Sequence, residues 1–260
     1  MKLLGIRDWL ALPEAAALTN LDDLAAAQLH AQIIRRKPFL KRLYHDIYES
    51  FKKNLPPAAD AKIVELGSGG GFLKEVIPNA VTSDIRRLPG VDRQFSALEM
   101  PFDSGSLDAL LLFHVFHHIP DVERFLSEAE RCLKPGGKIL MVEPANTLWG
   151  RFVYQYFHHE PFVPSASWSF QAQGPMSSAN SALPWIVFCR DHGRFAARFP
   201  SLRIRRLRPY MSLRLIISGG VSMRQLLPSS SYPLIQAVEW ILSPLDGILG
   251  TLYDIEIEKL

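Results

Sequence analysis

The segment Val64-Glu65-Leu66-Gly67-Ser68-Gly69-Gly70-Gly71-Phe72 constrains this chain more than any other. An apolar run containing a carboxylate gives way to glycines, and the apolar pattern then resumes. Glycine has no Cβ, so such a stretch reads as a strand, a tight turn that a ligand can approach closely, and a short helix. In an α/β protein this turn lies outside the carboxyl end of a strand, where open sheets bind their ligands.

The flanking sequence repeats that alternation. Apolar runs at 61–66, 80–84, 92–95, 107–113 and 138–143 read as strands, with 107–113 apolar enough to be buried on both faces. A short helix is expected over 72–77. A second follows over 121–133, where Val122, Phe125, Leu126, Ala129 and Leu133 recur at three- and four-residue spacing, until Lys134-Pro135-Gly136-Gly137 stops it. Strands alternating with helices predict a doubly wound, mostly parallel sheet. Beyond Glu143 the expectation is an aromatic helix over 148–157, a loop, helical structure over 182–199, a strand at 202–207 and a last, antiparallel strand at 252–258.

Residues 1–54 read as helical. The stretch 15–34 is rich in Ala and Leu, Thr19-Asn20 and Asp22-Asp23 offer N-cap chemistry, and Pro38 and Pro56-Pro57 punctuate. The expected organisation is a helical extension at 1–57 and one domain at 58–260. That domain holds a core at 58–145, a substrate-side insert at 146–182 and an apolar insert at 211–249. A chain of 260 residues, 48% hydrophobic, suits one decorated α/β domain. The first ten residues briefly resemble a secretory leader, but Arg7 and Asp8 interrupt the apolar run, and no stretch is long and apolar enough to span a bilayer. A cytoplasmic location is the default expectation.

Two ligand classes use a glycine turn in such a sheet, dinucleotides and S-adenosylmethionine. A dinucleotide fingerprint needs G-x-G-x-x-G, and its last position is Phe72 here. Glu65 suits a ligand bearing an ammonium and a sulfonium and suits a pyrophosphate poorly. Tyr154 is followed by His158 rather than by the Lys of a Tyr-x-x-x-Lys pair, and no P-loop motif occurs.

Four segments in order carry a resemblance: Val64 through Gly71; Thr82-Ser83-Asp84-Ile85; Leu98-Glu99-Met100-Pro101-Phe102-Asp103-Ser104-Gly105-Ser106-Leu107-Asp108; and His117-His118-Ile119-Pro120-Asp121 with Leu133-Lys134-Pro135-Gly136-Gly137. Across residues 58–145 the chain resembles the class I S-adenosylmethionine-dependent methyltransferases of the small-molecule, type 11-like kind. The resemblance implies a seven-stranded Rossmann-like sheet with helical insertions near the C-terminus. It implies that Glu65 and the backbone of Gly67, Ser68, Gly69 and Gly71 hold the methionine part of S-adenosylmethionine, and that Asp84 accepts from the ribose. Ser96, Ala97 and Leu98 then flank the adenine, and Phe113 and His114 line the pocket near the reactive methyl. Ser96 departs from the Asp of many relatives, and a hydroxyl accepts more weakly than a carboxylate.

In-line methyl transfer from a sulfonium needs a base only when the acceptor must lose a proton. His114 is the first candidate and His117 the second. His158-His159-Glu160 invites a metal, but adjacent side chains on a helix or strand point apart, so no metal is assigned. Cys132 and Cys189 lie far apart without CxxC spacing, as in a reducing compartment. The aromatics between Trp149 and Phe170 are either a substrate wall or a subcore. The apolar 211–249 region beside Arg203, Arg205, Arg206 and Arg208 is a lid over a lipophilic or amphiphilic acceptor, a peripheral membrane contact through 203–249, or a homodimer face. A solvated face is the plainer reading of the basic clusters. The net charge of +3 is too small to imply nucleic acid, and no N-P-P-Y or D-P-P-Y follows the fourth strand. Two other function classes stay open: an inactive methyltransferase fold acting as a binding subunit, and a nicotinamide-dependent oxidoreductase.

Overall fold

A computed structural model describes residues 5, 9–58 and 60–260. Most of the leader-like segment at 1–10 lies outside the described residues. The helices are α1 (Pro13–Ala16), α2 (Leu24–Arg36), α3 (Pro38–Asn54), α4 (Val122–Cys132), α5 (Leu148–Tyr156), α6 (Leu183–Trp185), α7 (His192–Arg198), α8 (Arg214–Ser218), α9 (Tyr232–Leu242) and α10 (Asp246–Leu249). The strands are β1 (Ile63–Leu66), β2 (Val81–Asp84), β3 (Arg93–Gln94), β4 (Leu107–Phe113), β5 (Leu133–Pro144), β6 (Leu202–Tyr210) and β7 (Leu252–Lys259). They form one seven-stranded sheet in the order β3-β2-β1-β4-β5-β7-β6. β1 to β5 run parallel, and β7 is antiparallel to both neighbours. The fold expectation holds, and so does the antiparallel last strand.

Strand periodicity divides the core. Leu110, Leu112, Ile139, Met141, Ile255 and Ile257 face α4 and the 183–199 helices. Ala109, Leu111, Leu140 and Val142 face the opposite way, against Phe39, Leu40, Leu43, Ile47 and Phe51 of α3. Both faces of β4 and β5 are therefore dry, which is why these strands carry apolar side chains on both faces.

The helix expected over 72–77 is only a 3-10 turn over Leu73–Glu75. Phe72 is not helical and Pro78 follows too soon for a longer helix. The N-terminal helices take over that side of the sheet: α3 begins with Pro38 at its first turn, where a missing N–H costs nothing. Their closeness to the glycine turn is tight. A Cβ on Gly70 would lie 2.7 Å from the Ala31 backbone of α2.

The apolar insert is tied down by a buried cation. Arg214 Nη1 reaches Asp46 Oδ2 of α3 at 2.9 Å, and the same guanidinium pairs with Glu239 of α9. The other side of α9 and α10 is bare: Leu234, Trp240, Ile241, Leu245 and Ile248 are all exposed. Two of the arginines of β6 are paired across the sheet with acids that β7 supplies opposite them. Arg205 meets Glu258 at 2.7 Å and Arg206 Nη1 meets Glu256 at 2.7 Å. No helix among the described residues is long and apolar enough to cross a membrane.

Candidate active site

The sheet order reverses between β1 and β4, and the glycine turn leaves β1 at that switch point. Above it lies a cavity of about 560 Å³. Glu65, Gly67, Ser68, Gly69, Gly71, Asp84, Ser96, Ala97, Leu98, Phe113, His114 and His117 all line it, so every residue singled out from the sequence comes to one place.

The turn needs its glycines for two reasons. Gly67 and Gly69 sit at φ +63° and +51°, a region that L side chains rarely adopt. Gly70 has no room for a Cβ, as described above. Beside the turn, Glu65 is 3% exposed. The Ser68 and Tyr48 hydroxyls hydrogen-bond its carboxylate, yet Oε2 is buried without a partner. Burial pushes the carboxyl up to about 7, with the Asp84 charge adding to the rise. An unpartnered buried carboxylate oxygen facing a cavity fits a cationic ligand group such as an ammonium. Asp84, at the end of β2, accepts from Gly69 N–H at 3.1 Å and from Arg86 N–H at 2.9 Å. Oδ1 also accepts from Arg86 Nε–H at 3.1 Å, so it is Oδ2 that keeps a lone pair for a ligand hydroxyl. Ser96 Oγ accepts from Leu98 N–H at 3.2 Å, shaping the turn that borders the cavity here.

The opposite end of the cavity follows β4. His114 adopts φ +56° and donates its backbone N–H to Val142 O at 3.0 Å. Its Nε2 is buried without a partner. Burial, with help from the His117 charge, pushes the imidazole down to about 4, so it stands neutral. His117 sits in a 3-10 turn over Phe116–His118 and is 1% exposed. Its Nδ1 lies 2.6 Å from Glu143 Oε2 and its Nε2 3.1 Å from Glu160 Oε2. Burial opposes its charge, but Glu160 and Glu143 outweigh burial and raise it to about 10. Glu143 Oε1 also accepts from Val115 N–H at 2.8 Å and Phe116 N–H at 2.7 Å, which fixes the turn carrying both histidines.

Sequence reasoning missed Glu143 as a functional group and Glu160 as the partner of His117. A charge closing an otherwise apolar strand was the available signal for Glu143. Nothing in local spacing links Glu160 to His117. Of the aromatics after β5, Trp149, Phe152, Tyr154 and Phe157 line the cavity, whereas Phe162 and Trp168 are core. The segment is thus divided between cavity lining and core, with Tyr154 in both.

Residues 10–12 and 222–224 meet at the edge of the cavity. Leu12 N–H donates to Ser222 O at 2.9 Å and Arg224 N–H to Leu10 O at 2.7 Å, with an antiparallel bridge between Ala11 and Met223. Lys37 fastens this clasp through Nζ, 2.7 Å from Gly220 O and 2.8 Å from Met223 O.

Sheet order and the glycine turn at its switch point together define a Rossmann-like fold with a cavity at that point. Residues 64–141 match the family model described as a methyltransferase domain. A ubiquinone/menaquinone biosynthesis C-methyltransferase from Brucella anthropi is 44% identical over 48 residues, covering 18% of this chain and 18% of that protein. A probable S-adenosylmethionine-dependent methyltransferase from Mycolicibacterium smegmatis is 31% identical over 100 residues, 33% of this chain and 39% of that protein. The chain thus spans well under half the length of these curated relatives. Among solved structures, a geranyl diphosphate C-methyltransferase from Streptomyces coelicolor A3(2) is similar at TM-score 0.46 and 15% identity, over 85% of this chain and 81% of that one. The match to a methyltransferase domain thus falls on the stretch that carries the glycine turn, β2, β4 and α4.

Proposed function

We propose that this protein transfers a methyl group from S-adenosylmethionine to a small, largely apolar acceptor. The observation that carries the reading is the single cavity joining the glycine turn and Glu65 to His114 and an apolar wall. Glu65 Oε2 takes the ammonium, the backbone of Gly67, Ser68, Gly69 and Gly71 cradles the methionine chain, and Asp84 takes the ribose. Ser96, Ala97 and Leu98 border the adenine, with Ser96 donating through its hydroxyl hydrogen. When bound, S-adenosylmethionine supplies a methyl group on a sulfonium leaving group, so alignment and exclusion of water remain for the protein.

Phe113 and the clasp between residues 10–12 and 222–224 exclude water. Trp149, Phe152 and Phe157 with Leu215 and Ile216 form the apolar wall that selects the acceptor. For an acceptor that must lose a proton, His114 is the better base of the two histidines. Its Nε2 is neutral and unpartnered, whereas His117 is already protonated between two carboxylates. The exposed face of α9 and α10 supports a second element, contact with a lipid surface from which an amphiphilic acceptor is drawn.

Calorimetry with S-adenosylmethionine, followed by transfer of a labelled methyl group to a panel of lipophilic acceptors, tests the reading. Binding with turnover supports it. Binding without turnover on any acceptor favours a binding subunit, and tighter binding of a reduced nicotinamide cofactor rejects the reading. Failure to co-sediment with anionic vesicles at low salt removes the lipid-surface element.

A further inference from the structure

Glu160 is the centre of a cluster that methyl transfer does not require. Its carboxylate is 8% exposed. Oε2 lies 3.1 Å from His117 Nε2, and Oε1 lies 3.2 Å from His118 Nε2. His158 Nδ1 is 3.6 Å from Oε2 and His159 Nε2 is 3.8 Å from Oε1. Four imidazoles thus surround one carboxylate. One ligand atom from each of His117, His118 and Glu160 falls within 4.8 Å of the others.

We propose that His117, His118 and Glu160 form a binding site for a divalent transition-metal ion of the zinc class. Three features carry it. The spacing admits a common ion: two atoms each about 2.0–2.1 Å from a tetrahedral centre lie about 3.3 Å apart, and each imidazole nitrogen lies 3.1 or 3.2 Å from one of the Glu160 oxygens. The donors are of the right kind, two imidazole nitrogens and one carboxylate, the set that holds zinc with a coordination position left open. The outer partners are also in place. His117 Nδ1 is held by Glu143 at 2.6 Å and His118 Nδ1 by the Ser178 carbonyl at 3.1 Å, so each ring turns its Nε2 toward Glu160. A ligating histidine almost always has such a partner on its other nitrogen, a carboxylate or a carbonyl. Ser181 Oγ, donating to Glu160 Oε2 at 3.0 Å, orients the carboxylate in the same way.

Adjacent side chains point apart on a helix or strand, but His117 and His118 sit on a 3-10 turn and both reach Glu160. The site becomes a chelate because the fold lays Glu160 on the His117-His118 turn from another segment. It also opens on the methyl-acceptor end of the cavity, since His117, His118 and Glu160 all line it. The open position faces the space where an acceptor hydroxyl, thiol or carboxylate would sit. Ion binding itself does not rest on the methyltransferase reading.

The test uses the full chain, stripped with a chelator and titrated with Zn²⁺ alone and with Co²⁺ alone. The expected result is one equivalent of tightly bound Zn²⁺, and visible absorption from Co²⁺ in a nitrogen–oxygen site. Glu160→Gln and His118→Asn should each weaken Zn²⁺ affinity at least tenfold, and Glu143→Gln, which touches no ion, by about 10–100-fold. S-adenosylmethionine affinity, measured on the same samples, reports folding and tests the other reading separately. Wild-type protein that binds S-adenosylmethionine but takes up no Zn²⁺ or Co²⁺ overturns the site. So does uptake that Glu160→Gln and His118→Asn, folded by their cofactor binding, leave unchanged. If no S-adenosylmethionine binds but Zn²⁺ does, with the same variant pattern, the site stands and the methyltransferase reading falls.

Discussion

The two ends of the cavity are built in opposite ways. At the glycine turn, Glu65, Ser68 and Asp84 lie within two strands and the loop between them, and most of their contacts are local. At the other end, His114, His117, Glu143, Glu160 and the wall of Trp149 and Leu215 come from segments up to about a hundred residues apart. Their electrostatics differ as well. The turn holds one carboxyl that burial pushes up to about 7. The far end holds a neutral His114 beside a charged His117 clamped between two carboxylates held below their ordinary range. A fixed cofactor can be met by a compact motif, whereas an acceptor is met by whatever the insertions bring over the sheet.

The sharpest way to break this comparison is to ask which end sets turnover and which sets cofactor binding. His114→Ala should lower kcat by about 10²–10⁴-fold if the acceptor loses a proton, the usual span for a positioned base, while cofactor affinity moves far less. Steady-state kinetics beside calorimetry decides this; an equal loss in both would place His114 at the cofactor end. Glu65→Gln is the converse. It removes a charge-assisted hydrogen bond worth about 1.5–3 kcal/mol, so cofactor Kd should rise about 10–100-fold. An unchanged Kd would remove Glu65 from the cofactor site.

The turn should also carry its own pH dependence. The Glu65 carboxyl stands at about 7, above its ordinary value of 4.5, so in the free protein it is protonated below neutrality. A cationic ligand group favours the ionised form. Cofactor affinity should therefore be level above about pH 7 and fall by up to about tenfold per unit below it. Stability of the free protein runs the other way. A raised acid contributes most below its unfolded value, and that contribution is lost as pH rises through about 7. The thermal shift on adding S-adenosylmethionine should then be larger near about pH 8 than near about pH 6, and Glu65→Gln should flatten the difference.

The sheet and the glycine-turn end of the cavity were legible because their signals are local. Strand periodicity placed β1, β2, β4 and β7 to within two residues, and alternation marked β7 as different, whereas β5 already begins at Leu133, in the stretch read as the end of a helix and its stop. The helix after the turn was not legible as absent, because its apolar pattern is satisfied by packing beneath α3 rather than by a helix of its own. Glu160 shows the same limit more strongly. Its neighbours in sequence argued against a metal, and its neighbours in space were set by a tertiary contact that no periodicity encodes. The β6 arginines read as a basic patch until β7 placed Glu256 and Glu258 opposite them.

Lys37, between α2 and α3, holds the 220–223 segment and should give the smallest effect on binding. Burial pushes its ammonium down to about 8, and the Gly220 and Met223 carbonyls satisfy it. Lys37→Met keeps the apolar stem but leaves two carbonyls without their donor, a local cost of about 1–3 kcal/mol. That cost falls on the clasp between residues 10–12 and 222–224, not on the sheet. Amide hydrogen exchange should therefore quicken at Leu12 and Arg224, whose N–H groups bond across the clasp, while β4 and β5 stay protected. Cofactor Kd should move by a few-fold at most, well short of the Glu65→Gln effect, because the clasp covers the cavity without supplying the group that takes the ammonium. Faster exchange in the strands as well would show that the clasp is part of the global fold rather than a separable cover. A Kd change as large as that of Glu65→Gln would show that the two ends are one unit.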